Sequence, residues 1–233
     1  MMRPKLSLVL PVRHQADHIG RVVRSFAVAL ETLDITYEII LVPNGSAEDD
    51  RACRDLGHEL RSVRCREIEA RGWGRAVRVG IAEARGELIC FANSARTQAD
   101  DLSRIVAAGL ANEGAVVKAL RIRRHSIVRR TGSRAFNLLC NGLLGVRTAD
   151  VNGTPKVFPR TAAGLLNLSS DDDLLDLEFM WRCRRGNLHL IEIEVQSNRR
   201  HGGRSTTNFG TAIRLCAGAI RFWRQTRAES PAA

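Results

Sequence analysis

The sequence predicts an α/β fold, in which a mostly parallel sheet is flanked by helices on both faces. Short apolar runs typical of buried strands alternate with segments in which apolar residues recur at the spacing of an amphipathic helix. The chain has 233 residues, of which 44% are hydrophobic. This composition suits one large domain with a proper core and excludes a disordered or fibrous protein.

The first two strand and helix units are the clearest. The run Leu6–Val12 is predominantly apolar, and after a polar loop the segment 19–33 carries apolar residues at helical spacing. A second buried-type strand is predicted over 37–42. Ser46 can then cap a helix that begins at Ala47, because its hydroxyl can accept a hydrogen bond from the first turn.

Further elements are predicted after these two units from the same two patterns. They are helices over 73–84, 101–110, 136–144 and 173–185, and strands over 88–92, 115–120 and 189–195. Because parallel strands end at one edge of a sheet, a ligand is expected beyond their carboxyl ends, in loops 11–18, 43–50 and 92–97.

The segment 207–233 is predicted to be a basic amphipathic helix and tail, separate from a domain over 1–206. Its apolar residues recur at 4-3-4-3 spacing, namely Phe209, Ile213, Cys216, Ile220 and Trp223. The arginines of this segment lie mostly elsewhere on the helix. Such a helix either docks on the core of its own domain or lies on an anionic membrane surface.

The net charge of +11, from 36 Lys+Arg against 25 Asp+Glu, points to phosphorylated substrates, anionic lipid or nucleic acid as partners. Only Lys5, Lys118 and Lys156 are lysines, so an arginine-rich genome explains the charge equally well. A nucleic-acid-binding module needs aromatic side chains on which bases stack, and aromatics are only 5% of the chain. We therefore expect no nucleic-acid partner.

The cysteines and the apolar runs exclude further classes of protein. The six cysteines include no Cys-x-x-Cys pair, so neither a zinc site nor a disulfide framework is predicted. No apolar run approaches the ~20 residues of a membrane-spanning helix, and no signal-peptide core follows the first residues. The expected location is the cytoplasm.

Five motifs occur in order along the chain. They are Pro11-Val12-Arg13-His14-Gln15, the 41–46 segment LVPNGS, Gly72-x-Gly74-x-Ala76, the 150–158 segment DVNGTPKVF and Arg200-x-x-Gly203-x-Ser205. Together they resemble family 2 glycosyltransferases, enzymes of the GT-A fold that include dolichyl- and polyprenyl-phosphate sugar synthases. The resemblance covers the domain predicted over 1–206 almost completely.

By this resemblance, the protein moves a hexose from a UDP- or GDP-sugar to a lipid-phosphate or saccharide acceptor. It implies inversion at the anomeric carbon and peripheral contact with the inner membrane face. The residues implied for the nucleotide sugar are Pro11, Val12, Gln15, Asn44, Ser46, Gly74, Asn93, Ala95, Arg96 and Arg121. Those implied for the diphosphate and the acceptor are Lys156, Arg200, His201 and Ser205. The alternative for Asn44-Gly45-Ser46 is an ordinary turn between a strand and a helix.

The chain departs from the family at one important place. Family members carry Asp-x-Asp after the strand predicted over 88–92, where the carboxylates hold Mg²⁺ or Mn²⁺ against the diphosphate. This chain has Asn93-Ser94-Ala95 instead, so no metal ligand is assigned and binding of Mg²⁺ or Mn²⁺ is in doubt. Two explanations are open. In one, catalysis is lost and the domain binds or scaffolds a partner. In the other, guanidinium groups neutralise the diphosphate, and the candidates are Arg96, Arg121, Arg200 and Arg204.

The segment DLLDLEFMW resembles the late acidic element of the family, where a carboxylate serves as general base for a hydroxyl acceptor. We favour Glu178, with Asp150 and Asp176 as alternatives. Asp176 and Glu178 are two residues apart on a predicted helix, so at most one of them points into the site. A lipid-phosphate acceptor is already ionised and needs no base. Its phosphate could then be held by Arg129, Arg130 and Arg134.

Overall fold

The computed structural model describes residues 3–122, 127–196, 200–202 and 209–228. Its strands are β1 (Leu6–Val12), β2 (Tyr37–Pro43), β3 (Val63–Cys65), β4 (Leu88–Phe91), β5 (Val116–Ile122), β6 (Lys156–Pro159) and β7 (Leu190–Gln196). They form one seven-stranded sheet in the order β3-β2-β1-β4-β6-β5-β7. Only β6 runs antiparallel to its neighbours in this sheet. The predicted, mostly parallel sheet is confirmed.

Helices cover both faces of the sheet, as predicted. They are α1 (Ile19–Glu31), α2 (Ala47–Glu59), α3 (Trp73–Glu83), α4 (Ala99–Ala111), α5 (Ile127–Leu144), α6 (Leu175–Arg185) and α7 (Phe209–Ala228). One layer consists of α1, α2 and α4, and the other of α3, α5, α6 and α7, each packing an apolar core against the sheet. Throughout the described ranges, no helix is long and apolar enough to cross a bilayer.

Three elements differ from the prediction. Strand β3 has only three residues, of which only Val63 is buried, so its sequence is too short to show the alternation of apolar and polar residues that indicates a strand. Strand β6 begins with a buried lysine, which apolar patterning does not anticipate. Helix α5 begins at Ile127 rather than at 136, because tertiary packing overrides the weak helix propensity of Thr131, Gly132 and Ser133.

Phe179 fixes α6 on the sheet. Its ring centroid lies 5.4 Å from that of Phe91 on β4 and 5.5 Å from that of Phe158 on β6, both in edge-to-face geometry. Edge-to-face pairs stabilise by about 0.5–1.5 kcal/mol beyond burial of area. Because all three rings are fully buried, the neighbouring carboxylates of Asp176 and Glu178 are also held inside the protein.

Helix α7 docks on the domain through a face that the sequence analysis did not select. The predicted apolar stripe includes Ile213 and Ile220, but these side chains are 56% and 36% exposed. The opposite side packs instead: Ala219 is fully buried, and a Cβ on Gly218 would lie 2.6 Å from Leu174 on the neighbouring segment. Small residues allow a helix to pack more closely than isoleucine does, which explains why the face with Gly218 and Ala219 contacts the domain. The side chain of Phe209 lies outside the described part of the chain.

Gly80 of α3 allows close approach to β1 and gives a test of this packing. A Cβ at Gly80 would lie 2.1 Å from Cγ1 of Val9, whereas a Cβ at Gly142 of α5 meets open space. We expect Gly80→Ala to lower the free energy of unfolding by about 1–3 kcal/mol through overpacking. Gly142→Ala should raise it by about 0.5–1 kcal/mol through helix propensity. Urea denaturation measures both, and equal effects would contradict the packing described.

Candidate active site

The loops after β1, β2 and β4 meet at the carboxyl edge of the sheet. The Asn44 N–H donates to the Val12 carbonyl at 2.8 Å, and the Ser94 hydroxyl donates to the Pro11 carbonyl at 2.8 Å. Pro11 and Val12 are themselves buried, and the Val12 side chain packs in the apolar core. Their carbonyl groups therefore tie the three loops together.

Asp49 of α2 organises the loop that follows β1. Its buried carboxylate accepts hydrogen bonds from the backbone N–H groups of His14 at 2.7 Å and Gln15 at 2.8 Å. Ser46 caps α2 as predicted, because its hydroxyl accepts a hydrogen bond from the Asp49 N–H. A Cβ at Gly45 would lie 2.2 Å from an Asp49 carboxylate oxygen. An acid at the third position of a capped helix is a recognisable sequence signal, but no site role was predicted for Asp49.

Besides Nε2 of the buried His18, two side chains at this edge carry buried polar atoms without a hydrogen-bond partner among the described residues. They are Oε1 of Gln15, which is 4% exposed, and Oγ1 of Thr97, which is 5% exposed. Buried polar atoms in folded proteins are nearly always paired. Both atoms are therefore suited to hydrogen bonds with a polar ligand at this edge.

A cleft opens where the ends of β4 and β5 face the end of β7. It is lined by Asn93, Arg96, Thr97, Asp101, Arg121, Thr154, Pro155, Val195 and Gln196. The structure thus brings together three residues predicted for the nucleotide sugar, Asn93, Arg96 and Arg121. Asp101 was not predicted, and burial raises the pKa of its carboxyl while the nearby Arg104 opposes the rise.

The segment 200–202 crosses between the loops that follow β1 and β4. The His201 N–H donates to the Ala95 carbonyl at 2.9 Å, and Nε2 of His201 lies 2.6 Å from the Thr97 carbonyl. A Cβ at Gly202 would lie 2.7 Å from the His18 ring. The predicted Arg200 and His201 therefore lie at the same edge as Asn44. The predicted Ser205 lies outside the described residues.

The residues after β4 do not fit a carboxylate-bound divalent cation. Asn93 Oδ1 accepts a hydrogen bond from the Ala95 N–H at 3.1 Å, and the Ser94 hydroxyl is engaged by Pro11. Ala95 is buried and has no ligating side-chain atom. Across the described ranges there is no group of three or more His, Cys, Asp or Glu residues that could hold a metal ion. Hard cations such as Mg²⁺ need several oxygen ligands, and the segment Asn93-Ser94-Ala95 lacks the carboxylates that the family uses for this purpose.

Asp150 holds the guanidinium of Arg121 in place. Its two carboxylate oxygens accept from Arg121 Nε at 2.7 Å and Nη2 at 2.8 Å, and the Arg121 N–H adds a third contact at 3.2 Å. The Asp150 side chain is 3% exposed and that of Arg121 is 24% exposed. Asp150 is therefore engaged beneath the cleft, while Arg121 faces it. The base role predicted for Asp150 stays a prediction.

Lys156 and Asp176 form a buried ion pair behind the cleft. The Lys156 side chain is completely buried, and its ammonium lies 5.3 Å from the ring centroid of Phe91. Burial lowers the pKa of Lys156, and the charge of Asp176 opposes this shift. Because neither group is open to the cleft, these contacts favour a structural role for both residues. The predicted binding of phosphate by Lys156 and the predicted base role of Asp176 stay predictions.

Glu178 is also committed to neighbouring groups. Its carboxylate accepts hydrogen bonds from the backbone N–H groups of Ser169 and Ser170 and from the guanidinium of Arg182, at 2.7–3.0 Å. Burial pushes the pKa of Glu178 up, but these hydrogen bonds outweigh it and the pKa lies below its ordinary value. This geometry does not favour the base role predicted for Glu178, because a base needs a free and sufficiently basic oxygen.

Gly74 approaches the protein's own backbone. A Cβ at Gly74 would lie 2.4 Å from the Ser170 carbonyl oxygen. The neighbouring Arg75 and Arg78 both bind the carboxylate of Asp171. The absence of a side chain at Gly74 is therefore explained by packing against the segment before α6, and its contact with a nucleotide stays a prediction.

Asp173 is exposed, as is the neighbouring Asp172, and no site role was predicted for either residue. The protein packed around it and the charges of Asp176 and Asp172 raise its pKa, whereas Arg13 and Arg214 oppose the rise. Arg13 belongs to the loop after β1 and Arg214 to α7. Asp173 thus lies where these two elements approach the start of α6, a long-range arrangement without a sequence signal.

Glu178→Gln tests whether this carboxylate is structural. We expect the free energy of unfolding at pH 7 to fall by about 1–3 kcal/mol, since charge-assisted hydrogen bonds are lost. A lowered pKa means that the carboxylate stabilises the fold above its unfolded pKa of about 4.3. The difference from wild type should therefore shrink as the pH falls through the lower, folded value. Urea titrations at several pH values measure it.

The exposed Glu69 provides the control, because Glu69→Gln should change stability by less than about 0.5 kcal/mol. A Glu178→Gln protein of wild-type stability whose sugar-transfer activity is lost would contradict the structural role and support the base role.

Solved structures with a similar fold include glucosyl-3-phosphoglycerate synthase from Mycobacterium tuberculosis. Its complex with Mn²⁺, UDP and phosphoglyceric acid gives a TM-score of 0.72 at 19% identity, covering 94% of this chain and 78% of that one. Its complex with Mg²⁺ and UDP gives a TM-score of 0.71 at 17% identity, covering 99% and 81%. This likeness concerns the fold alone, and it confirms the predicted GT-A fold.

Sequence relatives include undecaprenyl-phosphate 4-deoxy-4-formamido-L-arabinose transferases. The chain is 25% identical over 216 residues to that of Klebsiella pneumoniae subsp. pneumoniae, covering 91% of this chain and 65% of the relative. It is 26% identical over 160 residues to that of Pseudomonas fluorescens, covering 67% and 47%. The chain thus spans between about half and just under two thirds of these relatives. The glycosyl transferase family 2 model matches residues 7–163, which is more than half of the chain, and the chain therefore belongs to glycosyl transferase family 2.

Proposed function

We propose that the chain is a glycosyltransferase that moves a hexose from a UDP- or GDP-sugar to a lipid-phosphate or saccharide acceptor. Membership of the family supports transfer from a nucleotide sugar. The names of the relatives, undecaprenyl-phosphate transferases, favour a lipid phosphate as the acceptor. Since such a lipid resides in a bilayer, the proposal includes peripheral contact with the inner membrane face. We propose inversion at the anomeric carbon, as the sequence resemblance implies.

One observation carries the proposal. Arg96 and Arg121 line a single cleft at the carboxyl edge, directly beside the Asn93-Ser94-Ala95 segment that lacks carboxylates. A guanidinium binds phosphate oxygens in pairs and stays charged at any relevant pH. Arg96 and the cleft-facing side of Arg121, whose other side binds Asp150, are therefore proposed to bind the diphosphate without a metal of the family type.

The nucleoside is proposed to bind at the loops after β1 and β2. The Asn44 side chain can offer both a donor and an acceptor to a base edge, and its residue is anchored to Val12. Oε1 of Gln15, buried without a partner among the described residues, supplies a further acceptor for the nucleotide. Arg200 and His201 reach the same edge from the other side of the β4 loop, next to the proposed diphosphate.

In the proposed reaction, an acceptor oxygen attacks the anomeric carbon while the bond from that carbon to the diphosphate oxygen breaks. Negative charge then grows on the departing diphosphate, and the fixed guanidinium of Arg121 stabilises it. A phosphate acceptor attacks as an anion and needs no base. For a hydroxyl acceptor, Asp173 is better placed to take the proton than Asp150, Asp176 or Glu178, since those three are engaged by cations of the protein.

The alternative is a catalytically silent GT-A domain that binds a nucleotide or scaffolds a partner. Two observations favour it: the carboxylates of Asp-x-Asp are missing, and Arg121 is already paired with Asp150. Both alternatives predict nucleotide binding, so turnover has to separate them.

Turnover in the absence of free metal is the direct test. With a UDP- or GDP-sugar and undecaprenyl phosphate, we expect product to form at an undiminished rate in excess EDTA, because arginines rather than a cation neutralise the diphosphate. Release of UDP or GDP measures the rate. Loss of turnover in EDTA with recovery in Mn²⁺ would contradict metal independence. No turnover with any donor, combined with thermal stabilisation by UDP or GDP, would favour the silent domain.

Arg121→Gln tests the diphosphate site. We expect kcat/KM to fall by about 10²–10³-fold, the usual effect of removing one transition-state donor. Arg160→Gln is the matched control, because Arg160 is also half-buried and donates to the Gly86 and Ala84 carbonyls near the start of β4, away from the cleft. Since Arg121→Gln removes the cation that neutralises Asp150, the double variant with Asp150→Asn should recover stability without turnover. Recovery of turnover as well would contradict the role of Arg121.

A further inference from the structure

Helix α7 carries two apolar faces, of which one packs on the protein. Leu215, Ala219 and Phe222 lie on the inner face, with the Phe222 ring centroid 5.4 Å from that of Trp181 on α6. Ile213 and Ile220 lie on the other side and are 56% and 36% exposed. Residues seven apart project from the same side of a helix. The exposed isoleucines therefore form a short apolar stripe directed at solvent.

The charges on α7 are all of one sign. The helix sequence contains four arginines and no acidic residue, and Arg221, Arg224 and Arg227 are exposed. Arg224 and Arg227 follow Ile220 by four and seven positions, which places them beside the stripe. We call Ile213, Ile220, Arg221, Arg224 and Arg227 the outer face of α7.

Two features next to the outer face of α7 are also apolar or free of acidic residues. Trp223 is half-buried at the rim of the outer face, with the Arg227 guanidinium 4.9 Å from its ring centroid. Tryptophan at the edge of an apolar surface is typical of membrane interfaces. Helix α5, which packs against α7, also lacks acidic residues and exposes Leu138 at 72%.

We propose that the outer face of α7 docks on an anionic lipid surface, with the helix lying in the plane of the interface. The isoleucines would enter the boundary between headgroups and acyl chains, and the arginines would attract anionic headgroups. A second copy of this chain is a poorer occupant, because a symmetric contact through this face would bring arginines of both copies together. The inner face remains on the domain, so docking requires no unfolding.

The position of α7 connects this surface with the candidate active site. Arg214 of α7 acts electrostatically on Asp173, which also faces Arg13 of the loop after β1. Gly218 of α7 packs on Leu174, the residue next to Asp173. The helix that carries the outer face therefore also contacts the segment at the start of α6 that holds Asp173. The docking inference rests on the peripheral membrane contact of the proposed function and assigns that contact to one surface, and its test does not require turnover.

Sedimentation with vesicles tests the proposal on the full 233-residue chain, without any sugar donor. We expect binding to vesicles of phosphatidylcholine with 30% phosphatidylglycerol and at least ~10-fold weaker binding to pure phosphatidylcholine. The double variant Ile213→Ser/Ile220→Ser should weaken binding by about tenfold. Each of Arg224→Gln and Arg227→Gln should weaken it by about fivefold and reduce its dependence on salt. Circular dichroism should show unchanged folding, since these side chains are exposed.

Val28→Ser is the matched control, because Val28 is 63% exposed on α1, in the helix layer on the other side of the sheet. It should bind vesicles as wild type does. Equal binding to both vesicle types, or undiminished binding of the isoleucine variant, would overturn the proposal. Lipid-free dimers that the isoleucine variant no longer forms would assign the outer face to self-association instead. An enzyme that turns over but does not bind vesicles would leave the proposed sugar transfer intact and refute the docking.

Discussion

Two buried cations and one half-buried cation on β5 and β6 are each paired with a carboxylate from the second half of the chain. The pairs are Lys118 with Glu192, Arg121 with Asp150, and Lys156 with Asp176. Removing one member of such a pair costs about 3–5 kcal/mol, because the other charge is left uncompensated. The carboxylates come from β7, from the loop after α5 and from α6. Neutralisation therefore fixes the positions of all three elements against β5 and β6.

This arrangement decides which groups are available at the cleft. Asp150 and Asp176, which resemble catalytic carboxylates by their motifs, are the partners of buried cations. Arg121, in contrast, is oriented by Asp150 and lines the cleft. A charge that is held in place before the ligand arrives stabilises a transition state without reorganisation at the moment of reaction. The same ion pairs thus stabilise the fold and prepare the electrostatics of the site.

Much of the fold could be predicted because its first half is built from local patterns. Alternation of apolar runs and helical spacing located the strands and helices from β1 to β5, apart from the short β3. Strand β6 was missed because Lys156 breaks its apolar pattern and only the distant Asp176 makes its burial acceptable. For the apolar stripe of α7, the sequence left open docking on the domain or on a membrane. Ile213 and Ile220 are exposed, and the face that contacts the domain carries the small residues Gly218 and Ala219, which apolar content does not select.

The candidate site was predictable in its location but only partly in its contacts. Parallel strands place Asn44 and Asn93 at one edge, which follows from topology alone. The contacts of Asp49 with the loop after β1, and of Asp173 with Arg13 and Arg214, join distant parts of the chain. No local period encodes such contacts. Whether a motif carboxylate is free or engaged likewise depends on its three-dimensional neighbours.

The segment 200–202 has a mechanical consequence for the loops on either side of it. It is hydrogen-bonded to the β4 loop through His201 and packed against His18 through Gly202. The segment 200–202 therefore connects the two loops. If one loop moves, the contacts of this segment with the other loop are strained. A side chain at position 202 would meet the His18 ring, so a substitution there would disturb the packing of this segment against the loop after β1.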